Sequence, residues 1–294
     1  MIRTLLFDKN SIWPRPHSLL YREILRLALR EDLGTGDITT EATLLEDQVG
    51  HAVIFSKQEA VVACTFVAAD VFHLVNPGLE VTVVAQEGQL VKEGDSLMEI
   101  EGPVSSILVA ERTALNFLQH LCGVATQARR YAKEVEGLSC RVVDTRKTIP
   151  GMRVLEKYAV RIGGCHNHRM DLSSGILIKD NHIKACESIS TAIERARERI
   201  PHGLKIQVEV SSIEELRQAI SCGADAVLLD NMDLKQIQEA VSLVKRLSPQ
   251  MLLEASGGIT VENLRSVAST GVDIVSCGAL THSVKAVDLS LRLL

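Results

Sequence analysis

The sequence predicts an α/β fold: a parallel β/α barrel preceded by a smaller N-terminal domain of packed helices and strands. From residue 139 onward, short apolar runs alternate with helical segments, and the last four runs start 21, 26 and 22 residues apart. The runs lack inward–outward alternation, which is typical of parallel strands buried on both faces. Nearly every run also ends in a polar residue or glycine. Side chains at these positions converge at one mouth of a barrel.

Six strands are predicted in this second part of the chain. They cover residues 140–143, 176–178, 204–210, 225–229, 251–255 and 273–277, with helices over 188–200, 213–221, 234–247 and 261–269. Spacing alone fits either an incomplete barrel or a doubly wound sheet, since a full barrel has eight strands. The polar residues at the strand ends favour the barrel, because a doubly wound sheet would concentrate them at one switch point. These residues are Asp144, Lys179, Glu209, Asp230, Ser256 and Gly278.

The first third of the chain has a mixed pattern of helices and β-branched strands. The predicted elements are a helix over 17–33, a strand over 49–56, a helix over 63–75, a strand over 79–85, a turn-rich β segment over 87–101 and a long helix over 103–136. Gly34 is expected to stop the first helix. The long helix is expected to connect the two domains and to break near Gly123.

Composition excludes several classes of protein. A hydrophobic fraction of 46% in 294 residues is too high for a disordered chain, and a net charge of −5 with 3% aromatic residues argues against a nucleic-acid partner. The apolar run 60–69 is about half of the roughly 20 residues that a membrane helix needs. The seven widely spaced cysteines include no CxxC pair. We therefore expect reduced thiols in a cytoplasmic protein with no membrane or nucleic-acid partner.

Positive charge is concentrated in one segment of this acidic chain. Residues 145–184 contain eight Lys and Arg against three acids, a local charge of +5. Such a cationic segment predicts a site for a small polyanion. Arg146 and Lys147 directly follow a strand, and Lys179 ends another. Lys157 and Arg161 are instead expected on the solvated face of a helix over 151–162.

Two glycine turns and two acids complete the candidate site. Ser256-Gly257-Gly258 precedes a predicted helix, and Cys277-Gly278-Ala279 follows the last strand, so that both turns present backbone N–H groups suited to phosphate. Glu209 and Asp230 end successive strands and could hold Mg²⁺ beside phosphate oxygens. The alternative is that each acid merely caps the helix that follows it.

Eight segments, in chain order, carry a resemblance to a known family. They are EDLGTGDIT (31–39), AERTALNFLQHLCGVAT (110–126), DTRKTIPGMRVLEKYAV (144–160), GGCHNHRMDLSSGILIKDNHI (163–183), QVEV (207–210), LLDNM (228–232), EASGGI (254–259) and SCGALTHS (276–283). The set resembles the quinolinate phosphoribosyltransferases, the carboxylating nicotinate-nucleotide pyrophosphorylases, over nearly the whole chain.

The resemblance implies both an architecture and a reaction. The architecture is an α/β sandwich-like domain over 1–122 and an incomplete barrel of about seven strands over 123–283, with the tail 284–294 packing back on the first domain. The reaction is transfer of phosphoribose from phosphoribosyl pyrophosphate to quinolinate with decarboxylation and Mg²⁺, giving nicotinate mononucleotide, pyrophosphate and CO₂ in NAD biosynthesis. A homodimer, alone or within a hexamer, is the implied assembly.

The resemblance also assigns roles to individual residues. Arg146, His168 and Arg169 would face quinolinate, whose adjacent carboxylates suit guanidinium groups, and Arg112 would reach it from the neighbouring subunit. The implied catalytic residues are Lys147, Lys179, Glu209 and Asp230, and the last two would also hold the metal. The implied substrate-binding residues are Arg112, Thr145, Arg146, Lys147, His168, Arg169, Lys179, Glu209, Asp230, Ser256, Gly257, Gly258, Gly278, Ala279 and His282.

The sequence departs from the family pattern at two positions. Cys165 stands where the family usually has glycine, which would cost about 1 kcal/mol or more if the backbone needed a positive φ. Ile149 replaces a usual threonine. Neither change removes a charge, so we expect altered packing and retained activity. His166 and His182 are expected to form local hydrogen bonds.

Three alternatives remain at this point. One is a related phosphoribosyltransferase with another pyridine-like acceptor. The second is a barrel lyase that forms a Schiff base through Lys147 or Lys179, which would need a desolvated lysine with few other cations nearby. The third is a non-catalytic binding or carrier protein. The acidic-pair and Thr/Gly-loop signature of the Rossmann-like phosphoribosyltransferases is missing, which excludes that fold.

Overall fold

The N-terminal part of the molecule is built around one long helix and an antiparallel sheet. The computed structural model describes residues 14–45 and 48–294, so 1–13 and 46–47 of the predicted first domain lie outside the described residues. A 3₁₀ turn at Ser18–Leu20 is followed by α1 (Arg22–Leu33), α2 (Ile38–Thr43), β1 (Val49–Ser56), β2 (Ala60–Val61), α3 (Thr65–Val75), β3 (Glu80–Val83), β4 (Leu90–Val91), β5 (Ser96–Pro103) and α4 (Val104–Glu134). Helix α1 ends where Gly34 adopts a φ of 56°.

The second part alternates strands and helices, as the sequence predicts. Its elements are β6 (Arg141–Val143), α5 (Arg153–Ile162), β7 (Ile176–Ile178), α6 (Asp180–Cys186), α7 (Ile189–Arg199), β8 (Ile206–Val210), α8 (Ile213–Ser221), β9 (Ala226–Asp230), α9 (Leu234–Leu247), β10 (Leu252–Ser256), α10 (Val261–Ala268), β11 (Ile274–Ser276), α11 (Ala279–His282) and β12 (Leu289–Leu293). Side chains of Ser212 and Asp233 cap α8 and α9, which fixes where these two helices begin.

Six parallel strands form an incomplete barrel, and this confirms the predicted fold class. The strand order is β6-β11-β10-β9-β8-β7, so each strand pairs with its neighbour in sequence except at the junction of β6 and β7. At that junction a single parallel bridge joins Val143 to His166 on the free side of β6. One short bridge therefore stands where a seventh strand would be, and the barrel is open beside it.

The N-terminal sheet includes the last strand of the chain. Its order is β12-β1-β5-β3, and β12 pairs antiparallel with β1, from Ala52 opposite Leu293 to Ser56 opposite Leu289. Buried apolar side chains of the sheet, of α4 and of the barrel form one continuous hydrophobic cluster.

Helix α4 corrects one expectation from the sequence. It runs without a break for 31 residues, so the predicted interruption near Gly123 is wrong. A Cβ atom at Gly123 would lie 2.5 Å from the carbonyl oxygen of Lys285 and 3.3 Å from Cα of Ala286. The glycine lets the segment before β12 approach the helix closely, so it serves packing between segments and does not end the helix.

Candidate functional site

The carboxyl ends of the barrel strands surround a cavity of about 730 Å³. The predicted site residues of the barrel all line it: Thr145, Arg146, Lys147, His168, Arg169, Lys179, Glu209, Asp230, Ser256, Gly257, Gly258, Gly278, Ala279 and His282. Arg112 differs from these residues, because it is exposed on α4 and does not line the cavity of its own chain.

Seven further residues line the cavity and were missed by the sequence reasoning. They are Leu177, Leu228, Asn231, Glu254, Ile259, Thr260 and Ser276. Alternation along a strand explains several of them, since residues two apart share a face. Leu177 thus lies one layer below Lys179, and Glu254 lies one layer below Ser256. For Glu254 the sequence did contain a signal, because it is the single charged residue inside the apolar run MLLEA.

Two guanidinium groups form the cationic wall of the cavity. The Arg146 Nε atom is buried and has no hydrogen-bond partner in the part of the chain that the structure describes, while Arg169 Nη1 donates to the carbonyl oxygen of Gly175 at 3.0 Å. Burial, and then the nearby charge of Arg146, lowers the pKa of Arg169. Both effects disfavour the guanidinium charge, so an anion bound between these arginines would relieve them.

The loop that carries Arg146 and Lys147 is held by side chains of α5. Arg153 donates from Nε to Thr148 Oγ1 at 3.0 Å and from Nη2 to the Arg146 carbonyl oxygen at 3.4 Å. The buried carboxylate of Glu156 accepts from the Ile149 N–H at 3.1 Å and contacts His120 Nε2 at 2.7 Å. Helix α5 therefore fixes the loop from below the cavity.

Lys157 lies inside the protein and not on the solvated face of its helix. Its side chain is fully buried, so the expectation that it lies on a solvated face is wrong. Its ammonium pairs with Asp144, also fully buried, and donates to the carbonyl oxygen of His168 at 3.1 Å. Asp144 also accepts from the His168 N–H at 2.9 Å and from Asn167 Nδ2 at 2.6 Å. Arg161 is partly buried, and burial lowers its pKa.

The opposite wall carries the two predicted acids. Glu209 forms an ion pair with Lys179 and its side chain is 15% exposed, while the Asp230 carboxylate accepts from Asn231 Nδ2 at 2.9 Å. These oxygen donors fit Mg²⁺, which in proteins is held by one or two carboxylates and completed by waters and phosphate oxygens. Residues 14–45 and 48–294 contain no group of three or more side chains that could form a complete metal site. The donor set therefore fits a metal that binds together with a phosphate ligand.

Both glycine turns face the cavity. Gly257 has a φ of 92°, and a Cβ atom there would lie 2.2 Å from Asn231 Oδ1. At the other turn, a Cβ atom on Gly278 would lie 2.9 Å from the His282 ring and 3.2 Å from Lys147 Cδ. The first turn requires glycine at position 257, whereas the contacts at Gly278 are with side chains alone. The backbone N–H groups of both turns are suited to phosphate.

The departures from the family pattern leave the backbone unstrained. Cys165 is buried and is absent from the residues with positive φ, so the condition for a strain cost is not met. Ile149 is 45% exposed. Both histidines form local hydrogen bonds. His182 Nδ1 accepts from the main-chain N–H of Lys179 at 3.0 Å, and the main-chain N–H of His166 donates to the Val142 carbonyl oxygen at 2.8 Å.

The fold and the cavity together define a class of protein: a β/α-barrel protein whose mouth is built for a small anion and a sugar phosphate. The family model described as quinolinate phosphoribosyl transferase, C-terminal domain, matches residues 124–292, and the model for the N-terminal domain of the same family matches 37–122. The chain belongs to the quinolinate phosphoribosyltransferase family.

Individual relatives agree with this assignment. A probable carboxylating nicotinate-nucleotide pyrophosphorylase of Synechocystis sp. is 39% identical over 100% of this chain and 99% of its own. One of Bacillus subtilis is 39% identical over 93% of each chain. The solved nicotinate-nucleotide pyrophosphorylase of Francisella tularensis is 37% identical, with a TM-score of 0.88 over 98% of this chain and 99% of that one.

Proposed function

We propose that this chain transfers the phosphoribosyl group of phosphoribosyl pyrophosphate to quinolinate with decarboxylation, yielding nicotinate mononucleotide, pyrophosphate and CO₂ for NAD biosynthesis. The observation that carries the proposal is one cavity that is lined by two guanidinium groups, of Arg146 and Arg169, and by the carboxylates of Glu209 and Asp230. The names of the relatives, which include a quinolinate phosphoribosyltransferase of Nicotiana tabacum at 35% identity, support the same reaction.

On the cationic wall, Arg146 and Arg169 bind the two carboxylates of quinolinate and orient its ring. The pyridine nitrogen then attacks the anomeric carbon while the bond from that carbon to pyrophosphate breaks. The nitrogen becomes cationic and stabilises the electron pair left at C2 when CO₂ departs, and C2 then takes up a proton. No side chain acts as a nucleophile, so catalysis is positioning and electrostatic stabilisation.

On the opposite wall, Glu209 and Asp230 bind the ribose hydroxyls and would hold Mg²⁺, and the two glycine turns bind phosphate. The chemistry that Mg²⁺ would supply there is neutralisation of charge on the pyrophosphate group. Lys147 and Lys179 lie between the two substrates, where their ammonium groups stabilise developing negative charge.

Two features of the lysines disfavour Schiff-base chemistry. Lys147 is exposed, and the Lys179 side chain is 44% exposed and paired with Glu209. A Schiff-base lysine needs a desolvated environment that keeps its amine neutral. We therefore do not retain the lyase alternative.

We propose a homodimer as the working unit, alone or within a hexamer, with Arg112 of the partner subunit completing the quinolinate site. Exposed apolar side chains on the N-terminal helices support an interface there, since Leu27 is 57% and Ile38 78% exposed. We also propose a cytoplasmic location, supported by seven cysteines that are all free thiols. Within the described ranges, no helix is both long and apolar enough to cross a membrane.

The test is turnover of quinolinate and phosphoribosyl pyrophosphate with Mg²⁺, measuring CO₂ and nicotinate mononucleotide together. Arg146→Ala is expected to abolish quinolinate binding in calorimetry while the circular dichroism spectrum is unchanged. Arg195→Ala, on the exposed face of α7, is the matched control and should bind normally. Turnover of nicotinate in place of quinolinate would contradict the proposed reaction, and unchanged affinity in Arg146→Ala would contradict the assignment of that residue.

A further inference from the structure

A buried carboxylate lies at the floor of the cavity, below the residues assigned to substrate. The Glu254 side chain is 2% exposed, and its Oε2 atom accepts a hydrogen bond from Gln207 Nε2 at 2.8 Å. The other oxygen, Oε1, is buried and has no hydrogen-bond partner among the described residues. Burying a charge costs free energy unless partners compensate for it, so a carboxylate here needs a specific reason.

The contacts of Glu254 keep it ionised. Burial alone would raise the pKa of this carboxyl, but His168, Ser276 and Gln207 together outweigh burial, and the net pKa is lowered. A negative charge therefore lies beneath a cavity whose upper wall is cationic. It is directed at His168, whose Nε2 atom lies 3.4 Å from Glu254 Oε2.

The hydrogen bond at the other ring nitrogen defines the tautomer of His168. The backbone N–H of Arg169 donates to His168 Nδ1 at 2.7 Å. Because a backbone N–H can only donate, Nδ1 carries a lone pair and the ring proton is on Nε2, the atom next to Glu254. The imidazole thus links the buried carboxylate to the main chain of Arg169.

The main chain of His168 is held independently of its ring. Asp144 accepts from its N–H at 2.9 Å, and Lys157 donates to its carbonyl oxygen at 3.1 Å. Because the main chain of His168 is already held, the contact with Glu254 determines only the orientation and the tautomer of the ring. That contact reaches Arg169 through one hydrogen bond.

We propose that Glu254 is a positioning residue: it holds His168 as the Nε2–H tautomer, so that Nδ1 receives the Arg169 N–H and the Arg169 guanidinium is held ready for a carboxylate of the pyridine substrate. This rests on the proposed function for the identity of the substrate. Glu254 makes no contact with the substrate in this scheme and acts through His168, as outer partners do when they orient a binding histidine.

The substitution Glu254→Met tests this role, because the side chain keeps about the same length but has no hydrogen-bond acceptor. Gln207 Nε2 and His168 Nε2 both lie against the same oxygen, Oε2, so a glutamine could keep both contacts through its amide oxygen, whereas methionine removes them. Without this acceptor the Nε2–H tautomer of His168 is no longer favoured over the other. A lost polar contact of this kind corresponds to about a tenfold or larger loss of affinity.

The experiment compares the wild type, Glu254→Met and Leu253→Ala. Leu253 is the neighbouring residue on β10, is 2% exposed and does not line the cavity, so it reports on barrel stability alone. Calorimetry measures quinolinate binding without the second substrate, and kinetics measures both KM values. Nitrogen-15 NMR of histidine-labelled protein, with the His168 signals assigned from a His168→Asn spectrum, measures the tautomer.

We expect Glu254→Met to weaken quinolinate binding about tenfold or more and to change the His168 ring shifts, with the KM for phosphoribosyl pyrophosphate changed less than about twofold. Leu253→Ala should lower the Tm and leave quinolinate affinity unchanged. Unchanged His168 shifts in Glu254→Met, or wild-type quinolinate affinity, would overturn the proposal. A wild type that binds no quinolinate would instead overturn the proposed function, and this proposal with it.

Discussion

At the scale of single residues, Lys157 connects three segments that carry the site. It lies on α5, neutralises Asp144 at the end of β6 and donates to the main chain of His168. Removing one member of a buried ion pair leaves an uncompensated charge in the interior, whereas an exposed pair contributes little to stability. The environment of each lysine therefore determines its effect on stability.

Lys157→Met is expected to lower the free energy of unfolding by about 3–5 kcal/mol, because Asp144 is left buried without its cation. Urea unfolding followed by fluorescence or circular dichroism measures the change. Lys184→Met is the matched control, since its ion pair with Asp180 is exposed at 76% and 64%, and it should change stability by less than about 1 kcal/mol. Equal effects in the two variants would contradict the role assigned to Lys157.

The sequence predicted the charged residues of the site but not the supports beneath them. Arg146, Lys179 and Glu209 could be found because they end apolar strands. The burial of Lys157 could not be predicted, since helical periodicity does not show that a lysine meets Asp144, 13 residues earlier in the chain, inside the protein. Glu254 was missed because a charge within an apolar run gives no indication of its partners on other strands.

At the scale of elements, α4 joins the two parts of the molecule. It contacts both α3 and α5, and the segment before β12 lies against it at Gly123. The segment can approach because Gly123 has no side chain. In an isolated helix an alanine at this position would be favoured by about 1 kcal/mol.

Gly123→Ala is nevertheless expected to destabilise the protein by about 1–3 kcal/mol, because the new methyl group must displace Lys285 or its neighbours. Thermal unfolding and hydrogen exchange of the β12 amides measure the effect. Gly203→Ala is the control, since a Cβ atom there meets no atom of residues 14–45 and 48–294 within 4 Å. Stabilisation by Gly123→Ala would show that helix propensity outweighs the close contact.

Element boundaries were predictable where local chemistry determines them. The strand over 49–56 and the helices over 213–221 and 234–247 have the predicted limits, and side-chain caps mark where the two helices begin. Helix α1 starts at Arg22 and not at residue 17, because a 3₁₀ turn precedes it. The continuity of α4 through Gly123 was not predictable, since it depends on a segment about 160 residues later in the chain.

At the scale of the whole molecule, the bridge beside the barrel opening places a partly buried histidine between cationic side chains. The pKa of His166 is lowered to about 4 by burial, then by Arg161 and Arg141. Its pKa in the folded state is thus below the unfolded value of 6.5. The unfolded chain binds more protons between these values, so stability is lost as the pH falls from about 6.5 to about 4.

Stability is therefore expected to decrease on acidification, with His166 contributing up to about 3 kcal/mol by pH 4, since each unit of pKa difference corresponds to about 1.4 kcal/mol. His166→Gln should reduce the slope of unfolding free energy against pH over this range. Urea unfolding at pH 7, 5.5 and 4.5 measures it. His202→Gln, at an exposed position, is the control. The same slope in wild type and His166→Gln would contradict the prediction.

The class of the fold could be predicted from the sequence, but the position of the opening in the barrel could not. The regular alternation of strands and helices indicates a barrel, and the described residues form six parallel strands. The strands beside the opening are β6 and β7, because β6 pairs with β11 and not with β7. This long-range pairing leaves no local pattern in the sequence. The same applies to the single bridge at His166.

The pairing of β12 with β1 has a consequence for synthesis of the protein on the ribosome. One edge of β1 stays open until the final strand has been translated and has left the exit tunnel. During this interval the nascent chain exposes unpaired backbone groups that could join another strand. Chaperone protection of the growing chain, and slow translation near its end, would therefore influence the yield of correctly assembled molecules.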